Sequence, residues 1–281
     1  MNRTVLAGVV VLAAAAGGLY VWLQPLPPPQ TSVPESAPGE TFREAAPPSP
    51  QYPVPEPPAD ADAAVPDAQE TEPAPPAAEP APPPLPELGE SDRLASQAVQ
   101  EIFTVPEPLA LFSLDGLIRR LVVTVDNLPR TKLPARRLAV ATAPGRFQVS
   151  GGEDEFVIKP ENHRRYRPHV SLLESLDIET FSRLYIRYYP LFQAAYVELG
   201  YPDAYFNDRL VAVIDHLLAT PEVREPIRLI RPHVLYQYAD PELEALSAGQ
   251  KALIRMGPDN AARVKAKLRE IRARLVRLEL E

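Results

Sequence analysis

The chain has 281 residues, with 37 acidic side chains against 29 basic ones, 36 prolines and no cysteine. The missing cysteine excludes disulfides, thiolate metal sites and cysteine nucleophiles at once. The formal net charge of −8 is concentrated in one tract, so it misstates the charge of the remainder.

The first element is an apolar run without a charge, Val5 to Leu23. It is close to the ~20 residues a helix needs to cross a bilayer core. Arg3 is the one charged side chain before it, and no Lys or Arg follows until Arg43. The positive-inside bias then predicts a cytoplasmic amino terminus, with everything after Leu23 across the membrane. Tyr20 and Trp22 stand near the far end, where amphipathic rings favour the interface. A cleaved signal peptide is the competing reading, with small residues at Ala13 to Ala16. Cleavage there would leave a greasy new terminus, Leu19 to Leu23. We expect an uncleaved, single-pass inner-membrane anchor over residues 5–23.

Residues 24–90 hold 22 of the prolines, and twelve acids against the single Arg43. Such a stretch cannot bury enough apolar surface to offset its ordering entropy. Proline favours extended polyproline II, so the tract could span on the order of 200 Å at full stretch. It reads as a disordered acidic linker. A proline-rich ligand for an aromatic groove is the other reading, without a short repeated motif to carry it.

Residues 91–281 carry 27 bases and 25 acids and are long enough for one domain. The pattern is helical. Ser91 is placed to cap a helix with Leu94, Ala98 and Ile102 on one side. A second helix is expected from near Leu109 through Val125, ended by Asp126-Asn127-Leu128-Pro129 because the residue before proline avoids helical backbone. Phe147 to Val149 and Glu155 to Ile158 alternate around Ser150 to Glu153 as a small β-hairpin would. Asn162 to Leu176 is helical again, broken at Pro168.

Asp177 then caps a long helix to Leu199, stopped by Gly200, with Pro190 expected to kink it. Its apolar residues occupy both sides, which marks it as the central helix. Phe206 to Ala219 is one-sided, with Leu210, Val213, Ile214 and Leu217 facing in and Asn207 placed as N-cap. Pro241 to Met256 reads as one helix, and Pro258, after Gly257, opens the last. The expected fold class is all-α with a small β-hairpin.

The runs VVTVDNLPR, YYPLFQAAYVELGYPDAYFNDRL, IDHLLATPE and LSAGQKALIRMGP resemble a bacterial family known as domain of unknown function 3014. Its pattern also includes an amino-terminal membrane anchor and a proline-rich linker. The resemblance covers residues 117–275 and implies an envelope protein. It implies no reaction and carries over no functional residues.

The residues themselves offer little catalytic signal. None of His163, His169, His216 and His233 stands three or four residues from another, so no helical His pair for a metal arises. Phosphate-loop, nucleophile-elbow and cofactor motifs are missing from the sequence. Asp208 and Asp215 fall on one helical face ~10 Å apart, near the spacing of inverting glycosidases, but on the polar arc, where solvated acids are expected. Gly249 in Ser247-Ala-Gly-Gln250 is expected to permit close helix packing.

Binding candidates are clearer. Asp126, Asn127 and Arg130 form one polar turn, and Asn162, Arg164, Arg165 and Tyr166 form another. Tyr189 and Tyr201 belong to a tyrosine-rich stretch that could stack on glycan, although core packing competes. The last helix carries a seam of Val264, Leu268, Ile271, Leu275 and Leu278 flanked by arginine and lysine. Packing on its own domain, self-association and contact with anionic lipid or glycan are its three readings. The sum is a periplasmic binding or scaffolding module displayed on a tether, whose partner is an envelope protein or glycan and not nucleic acid. A hydrolase of envelope glycan is the alternative.

Overall fold

The computed structural model describes residues 49–55, 84–105, 108–152 and 155–278. The anchor expected over residues 5–23 and most of the linker lie outside these. Among the described residues no helix is long and apolar enough to cross a membrane. The architecture is mostly helical with one small antiparallel sheet.

Helix α1 (Asp92–Ile102) is followed by a 3-10 turn at Pro108–Leu111 and by α2 (Leu117–Asn127). The expected start of α2 near Leu109 is eight residues early. The Asp92 carboxylate explains the true start. It accepts from Gly116 N–H at 2.9 Å and Leu117 N–H at 3.1 Å, supplying an N-terminal cap from a different helix. Ser91 does not cap α1; its hydroxyl donates to the Leu88 carbonyl at 2.8 Å.

Strands β1 (Val149–Gly152) and β2 (Glu155–Ile158) form the expected hairpin, in register Val149 with Ile158 and Gly152 with Glu155. Two further strands were not foreseen, β3 (Arg228–Ile230) and β4 (Gln237–Tyr238). They extend the sheet in the order β1-β2-β3-β4, so the all-α expectation is too narrow. Strands of three and two residues are too short to show alternation in sequence. Phe156, Ile158, Ile227, Leu229, Tyr238 and Ile254 make a small second core there.

Helices α3 (Glu161–Arg165) and α4 (Arg167–Glu174) divide at Pro168, as its missing N–H requires. The central helix α5 (Ile178–Glu198) begins where the Asp177 carboxylate accepts from Thr180 N–H at 2.8 Å, and it runs through Pro190. Phe181, Leu184, Tyr185, Tyr188 and Phe192 are fully enclosed, and Val197 alone on the far side stays exposed at 42 %. Helix α6 (Phe206–Leu218) packs beside it.

The expected helix from Pro241 to Met256 is two, α7 (Pro241–Ala245) and α8 (Ala248–Arg255). Ser247 separates them and closes a reciprocal capping box with Gln250. The last helix, α9 (Pro258–Leu275), buries Val264, Leu268, Ile271 and Leu275 against α4, α5 and α6. That seam is thus covered by the chain's own domain. Its flanking bases are engaged as well: Arg263 with Glu174, Arg272 with Asp215 and Arg274 with Glu179.

One stretch departs from the expectation of a linker. Residues 49–55 lie on the domain, where Tyr52 and Val54 pack against the main core. Leu85 and Leu88 do the same at the tract's other end.

Candidate functional site

The polar turn after α2 is not a free surface. Asp126 is buried at 2 % exposure. Arg130 donates to its Oδ2 at 2.7 Å, and Arg209 of α6 donates to its Oδ1 at 3.1 Å and to its backbone carbonyl at 2.8 Å. The Tyr201 hydroxyl lies 3.1 Å from the Arg130 guanidinium and 3.4 Å from Oδ2. The Asp126 carboxylate raises the Arg130 pKa further. A buried carboxylate is tolerable only when paired and hydrogen-bonded, and here two cations and a phenol meet that need. The cluster therefore ties α2 to α6. Asn127 donates back to the Val123 carbonyl at 2.7 Å within α2. The turn beyond it finishes another element: the carbonyls of Leu128 and Arg130 accept from Gly249 and Ala248, the first N–H groups of α8.

The tyrosines do not form a stacking platform. Tyr201 stacks on Tyr196 with centroids 4.6 Å apart. Tyr189 is half-buried and donates to Gln193 Oε1 at 3.1 Å, and burial pushes its hydroxyl up to about 12. Tyr166 is buried at 1 % exposure, with its pKa raised by burial. These rings are spent on the interior.

In the second polar run the four candidates separate. Asn162 is fully buried; it accepts from Gln148 N–H at 2.9 Å and donates to the Gln148 carbonyl at 2.6 Å, replacing a missing strand partner. Arg165 donates to the carbonyls of Pro144 and Gly145 at 2.8 and 2.9 Å, which pins that loop. Only Arg164 remains exposed. It lines an open cavity of about 360 Å³ between α3 and the start of α9, together with Glu161, His163, Arg167, Asp259 and Arg263. Arg263 is held by Glu174, and His163 Nε2 is 3.1 Å from Glu225. Arg164 and Arg167 make no ion pair among the described residues and point their charge at solvent. The rim is tight because Gly257, at φ +87°, lies so close to the His163 ring that a Cβ there would come within 2.6 Å of it. Arg167 escaped the sequence reading because it reaches this cavity from another helix, whereas Arg263 is one of the bases flanking the seam of the last helix.

Two further arrangements also span distant parts of the sequence. His216 Nε2 lies 2.8 Å from Ser247 Oγ. The pKa of His216 is lowered by burial and by the nearby Arg209 charge. A Ser–His contact is the germ of a nucleophilic site, but this hydroxyl already accepts from Gln250 N–H at 3.2 Å as the cap of α8. Asp208 and Asp215, expected in solvent, are both occupied. Asp215 pairs with Arg272, and Asp208 accepts from the backbone of Gln51 and Tyr52. Asn207, expected as N-cap, is fully buried within the first turn of α6, and the Tyr185 hydroxyl donates to its Oδ1 at 3.1 Å. Among the described residues no group of three or more His, Asp or Glu side chains could hold a metal ion.

No curated protein and no solved structure matches the chain. The family model described as a protein of unknown function, DUF3014, matches residues 117–272, from the start of α2 into the last turns of α9. That match takes in more than half of the chain and both Arg164 and the Asp126 cluster, so the chain belongs to this family of proteins of unknown function.

Proposed function

We propose that this protein is a non-enzymatic binding or scaffolding module of the bacterial envelope, held at the inner membrane by residues 5–23 and displayed in the periplasm. The observation that carries this reading is the open cavity beside α3, where the exposed Arg164 and Arg167 make no ion pair among the described residues and share the lining with Glu161 and Asp259. Guanidinium groups recognise carboxylate or phosphate by paired hydrogen bonds. The ligand class that suits them is an anionic envelope component, and cell-wall glycan with its carboxylates is the first choice. The acids weighed for hydrolysis do not join this cavity; Asp208 and Asp215 are engaged elsewhere.

The full chain, in detergent, is expected to co-sediment with purified cell-wall sacculi. An Arg164→Glu, Arg167→Glu double variant should lose about tenfold in affinity, as opposed charges at the same positions repel the ligand. Undiminished binding by the double variant would remove the cavity from the reading. Location is tested separately by fusing alkaline phosphatase after Glu90, which should be active only if that point is periplasmic.

A further inference from the structure

A second surface, independent of the Arg164 cavity, is already occupied by the chain itself. Residues 49–55 cross the first turn of α6, with the chain bent at Gln51 and Tyr52. Asp208 Oδ2 accepts from Gln51 N–H at 2.9 Å, Asp208 Oδ1 accepts from Tyr52 N–H at 2.8 Å, and Asn207 Nδ2 donates to the Tyr52 carbonyl at 2.7 Å. Two successive N–H groups reach one carboxylate only where the backbone bends, so these three side-chain bonds fix the direction and register of a bent peptide.

One wall of the groove is held in place from inside the domain. Asn207 is at 0 % exposure, and the buried Tyr185 hydroxyl holds its Oδ1 at 3.1 Å. That contact turns the Nδ2 group outward, toward the position of the Tyr52 carbonyl. Preorganisation of this kind lowers the ordering cost of binding.

The peptide's chemistry matches the groove. In Pro50-Gln51-Tyr52-Pro53 only Gln51 and Tyr52 have a backbone N–H, and Asp208 takes both of them. Pro50 and Pro53 leave no donor to be stranded, and their fixed φ narrows the conformations of the unbound segment. Tyr52 and Val54, which alternate with prolines, rest half-buried against the main core. Partial burial of two side chains is a small contact, of the size that exchanges.

We infer that the first turn of α6 is a recognition groove for a bent, proline-flanked tyrosine peptide, and that residues 50–55 of this chain are its exchangeable occupant. The contact turns a stretch of the acidic tract into a ligand of the domain that the tract carries.

The test uses the full chain in detergent and a fluorescein-labelled peptide of residues 48–56. Gln51→Pro with Tyr52→Pro removes both N–H donors from the chain without touching the domain, and so vacates the groove. The peptide should bind this variant at least tenfold more tightly than the unaltered chain, where the tethered segment competes. Methylating the peptide's Tyr52 nitrogen should weaken binding about tenfold, the scale of one hydrogen bond to a charged acceptor. Adding Asp208→Asn to the opened chain should weaken it similarly. Equal binding to opened and unaltered chains, no binding to either, or indifference to the N-methyl group would each overturn the inference.

Discussion

Ser247 shows how one side chain can be read two ways and how to separate them. Its Oγ caps α8 and lies 2.8 Å from His216 Nε2. As a cap it is worth about 1 kcal/mol, so Ser247→Ala should lower unfolding stability by roughly 0.5–2 kcal/mol in denaturant titrations. Whatever cellular role is lost on deletion of the gene should survive that change. A folded Ser247→Ala protein that reproduces the deletion phenotype would bring the hydrolase reading forward. His169 makes a different prediction. Its Nε2 is 2.8 Å from the Ala141 carbonyl, which fixes the neutral ring with its proton on that nitrogen. Burial lowers its pKa from the ordinary 6.5, and the carbonyl opposes that only in part. The unfolded chain therefore takes up a proton that the folded chain refuses. Stability is fully present above pH 6.5 and falls as pH drops toward the depressed folded value. His216, also lowered, acts in the same direction. His169→Gln keeps a donor for Ala141 and should flatten the loss of stability between pH 7.5 and 5.5, read as the shift in urea midpoint. An unchanged pH dependence would mean that His169 takes up its proton in the folded state.

At the scale of elements, several features written locally were read correctly and several that depend on distant partners were not. The Asp177 cap, the Gly200 stop and the break at Pro168 are written within a few residues, and the structure has each. The start of α2 is set by Asp92, 24 residues upstream, which no window of periodicity contains. Asn207 looked like a cap because its type favours caps; its real partners are Tyr185, 22 residues away, and Tyr52, 155 residues away. Two residues of the candidate turns were misplaced for the same reason. Asp126 and Asn162 are polar in sequence, yet their partners enclose them. Gly249 succeeded because a lone glycine within a helical pattern is itself a sign of close packing. A Cβ there would come within 2.6 Å of Leu217 Cδ2 and 3.1 Å of the Leu128 carbonyl oxygen. That carbonyl also accepts the Gly249 N–H at 3.0 Å, so it cannot retreat without breaking the bond. Gly249→Ala gains at most about 1 kcal/mol of helix propensity. Overpacking costs about 1–3 kcal/mol. The second effect wins, and thermal unfolding should show a net loss of stability. A gain would mean that Leu217 moves aside freely.

For the whole molecule, the boundary between tract and domain is a physical question about which backbone is buried and bonded. Composition changes at Ser91, but the fold does not begin there. Leu85 and Leu88 pack on the core, Glu90 N–H donates to the Glu87 carbonyl at 2.9 Å, and Ser91 is buried. Proteases need an extended segment of accessible backbone, and the peptide bonds after Glu87 and Glu90 do not offer one. By sequence, the stretch around Glu70 is rich in proline and poor in large apolar side chains, a composition expected to be open to proteases. A glutamate-specific protease acting on the full chain should therefore cut after Glu70 well before it cuts after Glu87 or Glu90. The stable product should begin near Thr71 and keep residues 84–90. The docked segment adds a second expectation for the same digest. Once the connection is cut, the fragment containing Gln51 and Tyr52 is held by three hydrogen bonds and two half-buried side chains alone. It should co-elute with the domain at high concentration and separate on dilution. Early cleavage at Glu87 or Glu90 would show that the domain starts where composition alone put it, at Ser91.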